Sequence, residues 1–153
     1  MRKFKSFLIF FIPFLLFFFY FTNQNEHNSH MTANSSHSAH GFVEIPAGYE
    51  PPSVKIVVTQ DQSKSWLLEV RTENFTFTPK KAGTATPSYN EGHAHLYING
   101  KKINRLYGRY YNLGMLKQGE NKIKVTLNSN NHGTLKVKGK IIENSAVAEV
   151  ASK

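Results

Sequence analysis

The chain contains no cysteine among its 153 residues. It can therefore form neither a disulfide nor a thiolate metal site, which excludes zinc fingers and blue-copper centres. A lipid anchor attached to a cysteine is excluded as well. Small exported domains often depend on disulfides, so any exported domain of this chain has to fold on its apolar core alone.

Long apolar runs are also scarce, and the one that stands out is N-terminal. Arg2, Lys3 and Lys5 precede an apolar run over residues 7–21. A basic stretch followed by an apolar stretch of this length is typical of an export signal, and a transmembrane helix needs about 20 residues. We predict that residues 1–22 are either a signal peptide or an uncleaved inner-membrane anchor. The basic residues before the run orient the rest of the chain outward, to a periplasmic or secreted location.

Acidic residues are few, with 10 Asp and Glu against 19 Lys and Arg and a formal net charge of +9. Much of the excess lies in lysines of the second half of the chain, several of which alternate with apolar residues: Lys101, Lys102, Lys122, Lys124, Lys136, Lys138 and Lys140. This pattern is typical of a solvated sheet face with protected edges, and binding to an anionic surface is the alternative. For an exported protein we expect no nucleic-acid partner, and membrane contact only through an uncleaved N-terminal segment.

Residues 23–41 are polar and contain four histidines, His27, His30, His37 and His40. Such a composition cannot build a core, so we predict a disordered linker. Because short His-rich tracts bind metals, the linker is a candidate auxiliary segment for metal capture, with a plain polar tail as the alternative.

The remaining residues, 42–153, are predicted to form one β domain. Apolar residues alternate with polar ones through most of it, and no useful length shows helical periodicity. The alternating apolar positions include Val54, Ile56, Val58, Trp66, Leu68, Val70, Phe75, Phe77, Ile123, Val125, Leu127, Leu135 and Val137. About seven to eight short strands over this length predict an all-β fold, a single antiparallel β-sandwich.

The most informative segment is a predicted hairpin that contains His93 and His95. An Asn-Gly pair at residues 99–100 is a strong signal for a two-residue turn, which pairs Leu96 with Ile103 on the core face. Alternate residues of a strand share a face, so the two histidines should lie together on the outer or end-facing side. Two imidazoles in this arrangement suit a metal ion.

Loops cluster at the ends of a sandwich and commonly carry binding residues, so we expect the further ligands there. Met115 and His132 both lie in predicted loops next to strand ends, and we expect them to complete the site. Imidazole with thioether favours copper, as Cu(I) or Cu(II), and zinc is less favoured. A carboxylate from Glu91 would keep zinc or Cu(II) open as alternatives.

The motif Gly-His-x-His-Leu-Tyr-x-x-Gly at residues 92–100 resembles that of small exported bacterial domains with a cupredoxin-like, immunoglobulin-like sandwich. The segments of residues 74–79 and 116–127 add to the resemblance, which covers about residues 42–145. It implies a periplasmic copper-binding protein, with a copper donor or acceptor protein as partner. True cupredoxins use a cysteine ligand, so the resemblance favours copper carriage, sequestration or tolerance over electron transfer.

We therefore predict a copper-binding protein and not an enzyme, since no Ser/His/Asp arrangement, paired-carboxylate motif or phosphate loop stands out. The alternative is an adhesion or protein-interaction module without metal, in which Tyr97, Tyr107, Tyr110 and the lysines form a binding surface.

Overall fold

The computed structural model describes residues 11–20 and 41–151. Residues 11–20 are helical and belong to one unit of the chain, and residues 41–151 belong to a second. In these described segments, no helix is long and apolar enough to cross a membrane. The predicted His-rich linker, apart from its last residue, and both ends of the predicted export segment lie outside the described residues.

Residues 41–151 form eleven strands and one short 3₁₀ helix. The elements are β1 (Phe42–Glu44), β2 (Ser53–Gln60), β3 (Trp66–Glu73), β4 (Thr76–Phe77), the 3₁₀ helix (Pro79–Lys81), β5 (Glu91–Ile98), β6 (Lys101–Leu106), β7 (Tyr110–Gly114), β8 (Gly119–Ser129), β9 (Thr134–Val137), β10 (Lys140–Ile141) and β11 (Glu143–Val150). The all-β prediction is confirmed. The predicted strand number is too low, in part because β1 and β10, of three and two residues, are too short to show an alternating pattern.

The strands lie in two sheets. The larger sheet runs β1-β9-β8-β5-β4, with β10 beside β9, β11 beside β8 and β6 beside β5, and the smaller one runs β2-β3-β7. The β1–β9 and β4–β5 pairs are parallel, so the prediction of a wholly antiparallel sandwich is wrong. A parallel pair requires a long connection, and residues 78–90, which include the 3₁₀ helix, supply it between β4 and β5.

One apolar cluster joins the two sheets. Leu68 and Val70 of β3 are buried together with Leu96 of β5 and with Val125 of β8. The alternation read from the sequence is confirmed at these positions, and burying each such side chain contributes about 1.5–3 kcal/mol. The same alternation turns the intervening side chains of β5 and β8 away from this core.

The β5–β6 hairpin departs from its predicted register. Ile98 pairs with Lys101 as expected, but a bulge follows, and Leu96 pairs with Asn104 instead of Ile103. Ile103 is the extra residue and is 44% exposed. The bulge brings Leu106, which is buried, opposite Ala94 on the core face, and this apolar pairing compensates for the exposure of Ile103.

Candidate metal centre

His93 and His95 share one face of β5, as predicted, and lie in contact. Their Nε2 atoms are 3.0 Å apart, with ring centroids separated by 4.9 Å. The face of β5 that carries the two rings is not open to solvent, because His93 is 0% and His95 5% exposed. Of the two expected placements, outer or end-facing, the outer one is therefore wrong: β5 lies inside the sheet between β6 and β8, and both rings are buried.

His132 joins the pair from the turn between β8 and β9. Its Nδ1 lies 3.5 Å from Nε2 of His93, so the prediction that this loop residue approaches the pair is confirmed. The turn places His132 at φ 70°, a left-handed conformation that histidine adopts more readily than most residues. Asn128, next to His93 in the sheet, donates through Nδ2 to the His132 carbonyl at 3.3 Å and to Oγ1 of Thr134 at 3.0 Å.

The connection between β4 and β5 holds the same turn from its other side. The Ser88 amide donates to Oγ of Ser129 at 2.7 Å, and the Asn130 amide donates to Oγ of Ser88 at 3.0 Å. The Gly83 amide donates to the Asn130 carbonyl at 2.7 Å. A side chain at Gly83 would come within 3.8 Å of Nε2 of His132, so this connection passes directly beside the cluster.

Lys102 and Arg105 are neighbours of the histidines that sequence reasoning missed, and Tyr107, which was predicted as part of a surface, lies beside them as well. Nζ of Lys102 lies 3.1 Å from Nε2 of His95, and the Tyr107 ring lies 5.6 Å from that of His93. Because of the bulge, Arg105 instead of Asn104 stands opposite His95. A signal was present: Ile103 and Leu106 are three residues apart, an odd spacing that a regular strand cannot place on one face.

Met115 does not join the histidines, and its prediction as a ligand is corrected. It is 83% exposed and lines a cleft with Trp66 and Val150. Val150 pairs with Gly119 at the start of β8, whereas His93 pairs with Asn128 near its end. These ends are roughly 30 Å apart at the usual rise of a strand.

The carboxylate of Glu91 is also engaged elsewhere. Nζ of Lys81, which ends the 3₁₀ helix, contacts its two oxygens at 3.0 and 2.9 Å. Among residues 41–151, the metal-binding groups considered from the sequence that the fold brings together are therefore three imidazoles, without the Met115 thioether or the Glu91 carboxylate.

Burial keeps His95 uncharged. Loss of solvent, followed by the charges of Lys102, His93, Arg105 and His132, lowers the pKa of His95 to about 3. At neutral pH its ring is therefore neutral, which is the form that binds metals. Partial burial and the charge of Arg105 also lower the pKa of Lys102 below its ordinary value.

The lowered pKa of His95 predicts that the metal-free protein loses stability in acid. The pKa of His95 is lower in the folded than in the unfolded chain, so protonation favours unfolding. Its contribution to stability is complete above pH 6.5 and is lost as the pH falls toward 3, by up to about 1.4 kcal/mol per pH unit. Urea unfolding between pH 7 and 4.5 measures the slope. His95→Gln should have a shallower slope, and equal slopes would contradict the assignment.

The three histidines form a cluster of donors, not a finished centre. As the side chains stand, no group of three His, Cys, Asp or Glu in residues 11–20 and 41–151 is arranged to hold a metal ion. Two imidazole nitrogens that share a tetrahedral ion lie about 3.3 Å apart, close to the 3.0 and 3.5 Å that separate Nε2 of His93 from the nearest nitrogens of His95 and His132. No family model, curated protein or solved structure matches the chain.

Proposed function

We propose that this protein binds a metal ion through His93, His95 and His132, and that the ion is copper. The observation that carries the proposal is the convergence of ring nitrogens: Nε2 of His93 lies within 3.5 Å of a nitrogen of each other ring. A neutral His95 adds support, because only the neutral ring has a lone pair for a metal.

The preference for copper no longer rests on a thioether ligand. Three imidazoles suit copper, zinc, nickel and iron, and the thioether of Met115 no longer separates them. Copper is favoured by the resemblance of the His-x-His hairpin to exported cupredoxin-like domains. We propose accordingly that the β domain is cupredoxin-like or immunoglobulin-like, that residues 1–22 export it to the periplasm or beyond, and that a copper donor or acceptor protein is its partner.

We propose carriage, sequestration or tolerance, and not catalysis. Within residues 41–151, the ring nitrogens of these histidines lie beside one another, and the Lys102 ammonium lies beside His95. A buried ion held in this way suits storage and transfer, whereas a catalytic metal keeps an open position for substrate.

The interaction-module alternative receives less support from the positions of the tyrosines. Tyr107 and Tyr97 pack near His93 and His95, with ring centroids 5.6 and 6.4 Å apart. Tyr110 lies in the smaller sheet, where its ring packs against Arg109. Two of the three predicted surface tyrosines are thus part of the surroundings of the cluster.

A competition titration tests the proposal. The tail variant, in which His27, His30, His37 and His40 become asparagine, removes the linker histidines from the full chain. It should bind one Cu(I) per chain, delivered from a chelator of known affinity. Adding His132→Ala should weaken binding on the order of 100-fold, since one of three ligands is lost.

Met115→Leu in the same background serves as the matched control and should leave the affinity unchanged. Absence of binding by the tail variant itself would sink the proposal. Weaker binding in Met115→Leu would show that the Met115 thioether is a ligand of the metal. The unaltered chain should bind additional ions, because its linker histidines capture metal as well, and an unchanged stoichiometry would exclude that auxiliary role.

A further inference from the structure

The position of Lys102 bears on which ion the cluster accepts. Its Nζ lies 3.1 Å from Nε2 of His95 and can donate to the lone pair that a metal would use. Lys102 stands opposite Tyr97 on β6, the neighbour of β5 in the sheet. A metal therefore has to displace the ammonium from His95, and the lysine stem keeps that charge near the ion afterwards.

A second positive charge faces His95 from β6, and the nearby carboxylates of the described residues are paired with other lysines. Arg105 stands opposite His95, on the same strand as Lys102. The carboxylate of Glu91, on the same strand, is held by Lys81 at 2.9 Å. Lys124, next to Tyr97 on β8, is paired with Glu143 at 3.2 Å. The cations facing His95 from β6 are thus not offset by the nearest carboxylate of β5.

We infer that the three-histidine cluster selects a monovalent soft ion, Cu(I), over divalent ions, and that Lys102 is the residue that determines this selectivity. Coulomb repulsion is proportional to the charge of the ion, so a fixed positive charge disfavours a divalent ion twice as strongly as a monovalent one. The three neutral ligands do not offset this difference. The inference rests on the proposed metal site and specifies the ion that it takes.

Two ions without redox chemistry, Ag(I) and Zn(II), separate the effect of charge from that of oxidation. Their affinities are measured by chelator competition in the full-length tail variant, with and without Lys102→Gln. Removing the charge should tighten Ag(I) binding about tenfold and Zn(II) binding about 100-fold, since the electrostatic energy doubles with the charge of the ion. Without Lys102, no ammonium has to be displaced from His95, and this raises the affinities for both ions by the same factor. The expected tenfold change in their ratio is therefore unaffected.

Lys101→Gln is the matched control. It changes the net charge equally, but Lys101 is exposed and pairs with Ile98 at the turn, so both affinities should stay unchanged. Equal gains for the two ions in Lys102→Gln, weaker binding of both, or the same selectivity change in Lys101→Gln would each overturn the inference. Failure of the tail variant to bind either ion would instead refute the proposed function, so the two failures are distinguishable.

Discussion

Replacing His93 and His95 together by glutamine should abolish metal binding by the β domain. Glutamine has a similar volume and can hydrogen-bond, but it is a poor ligand for soft metals. We expect Cu(I) affinity in the tail-variant background to fall by at least about 1,000-fold, because two of three ligands are removed. Metal at 100 times the dissociation constant should stabilise the parent by about 2.7 kcal/mol, and the double variant should lose this gain.

The tail variant provides the control, since it lacks four histidines yet should keep the full metal-linked gain. The measurements are chelator competition for affinity and urea unfolding with and without metal. A double variant that still gains stability from metal would place the site elsewhere. Circular dichroism of the metal-free double variant shows whether the fold is retained, so loss of binding can be separated from loss of structure.

The second large effect is expected from Gly92→Ala, immediately before the first histidine. A Cβ at Gly92 would lie 2.0 Å from the Asn128 carbonyl oxygen, and φ there is +157°. Both partners are backbone in the β5–β8 pairing, so the strands would have to separate. We expect a loss of about 3 kcal/mol or more in unfolding free energy and a fall in melting temperature of about 10 °C or more. The affinity for metal should fall with it, because Asn128 positions the His132 turn.

Gly108→Ala is the matched control for this backbone contact. Gly108 has no atom within 4 Å of the position of a Cβ and no strained φ. Its substitution should change stability by less than about 0.5 kcal/mol, as for an ordinary surface site. Thermal unfolding of the two variants side by side gives the comparison. A small effect at both glycines would show that β5 and β8 can move apart at little cost.

Much of the β domain follows from local pattern. The period of two identified the buried residues of β3, β5 and β8, and Asn99-Gly100 placed the hairpin turn. Parity along β5 also put both histidines on the face opposite Leu96. These features depend on neighbours within one strand or one turn, so a sequence contains the information needed to predict them.

Contacts between segments that are far apart in the sequence could not be predicted from local pattern. Two loop residues looked equivalent as further ligands, yet only His132 reaches the pair, while Met115 lies near the other end of β8. Which loop folds over which end of a sheet depends on strand order, and a sequence pattern does not encode strand order directly. The connection between β4 and β5 likewise passes beside His132, and no local pattern in the sequence indicates the parallel pairing of these two strands.

The sequence by itself determined the absence of thiolate chemistry, the β character of residues 42–153 and the shared face of His93 and His95. The tertiary structure alone decided which of the two predicted loop residues meets them, that their face is closed, and that a bulge brings Arg105 opposite His95 while Lys102 reaches its ring. The physical reason is the range of the interactions. Alternation and turn preference act between adjacent residues, whereas the charge and the ligands around a site come from strands that only the folded chain brings together.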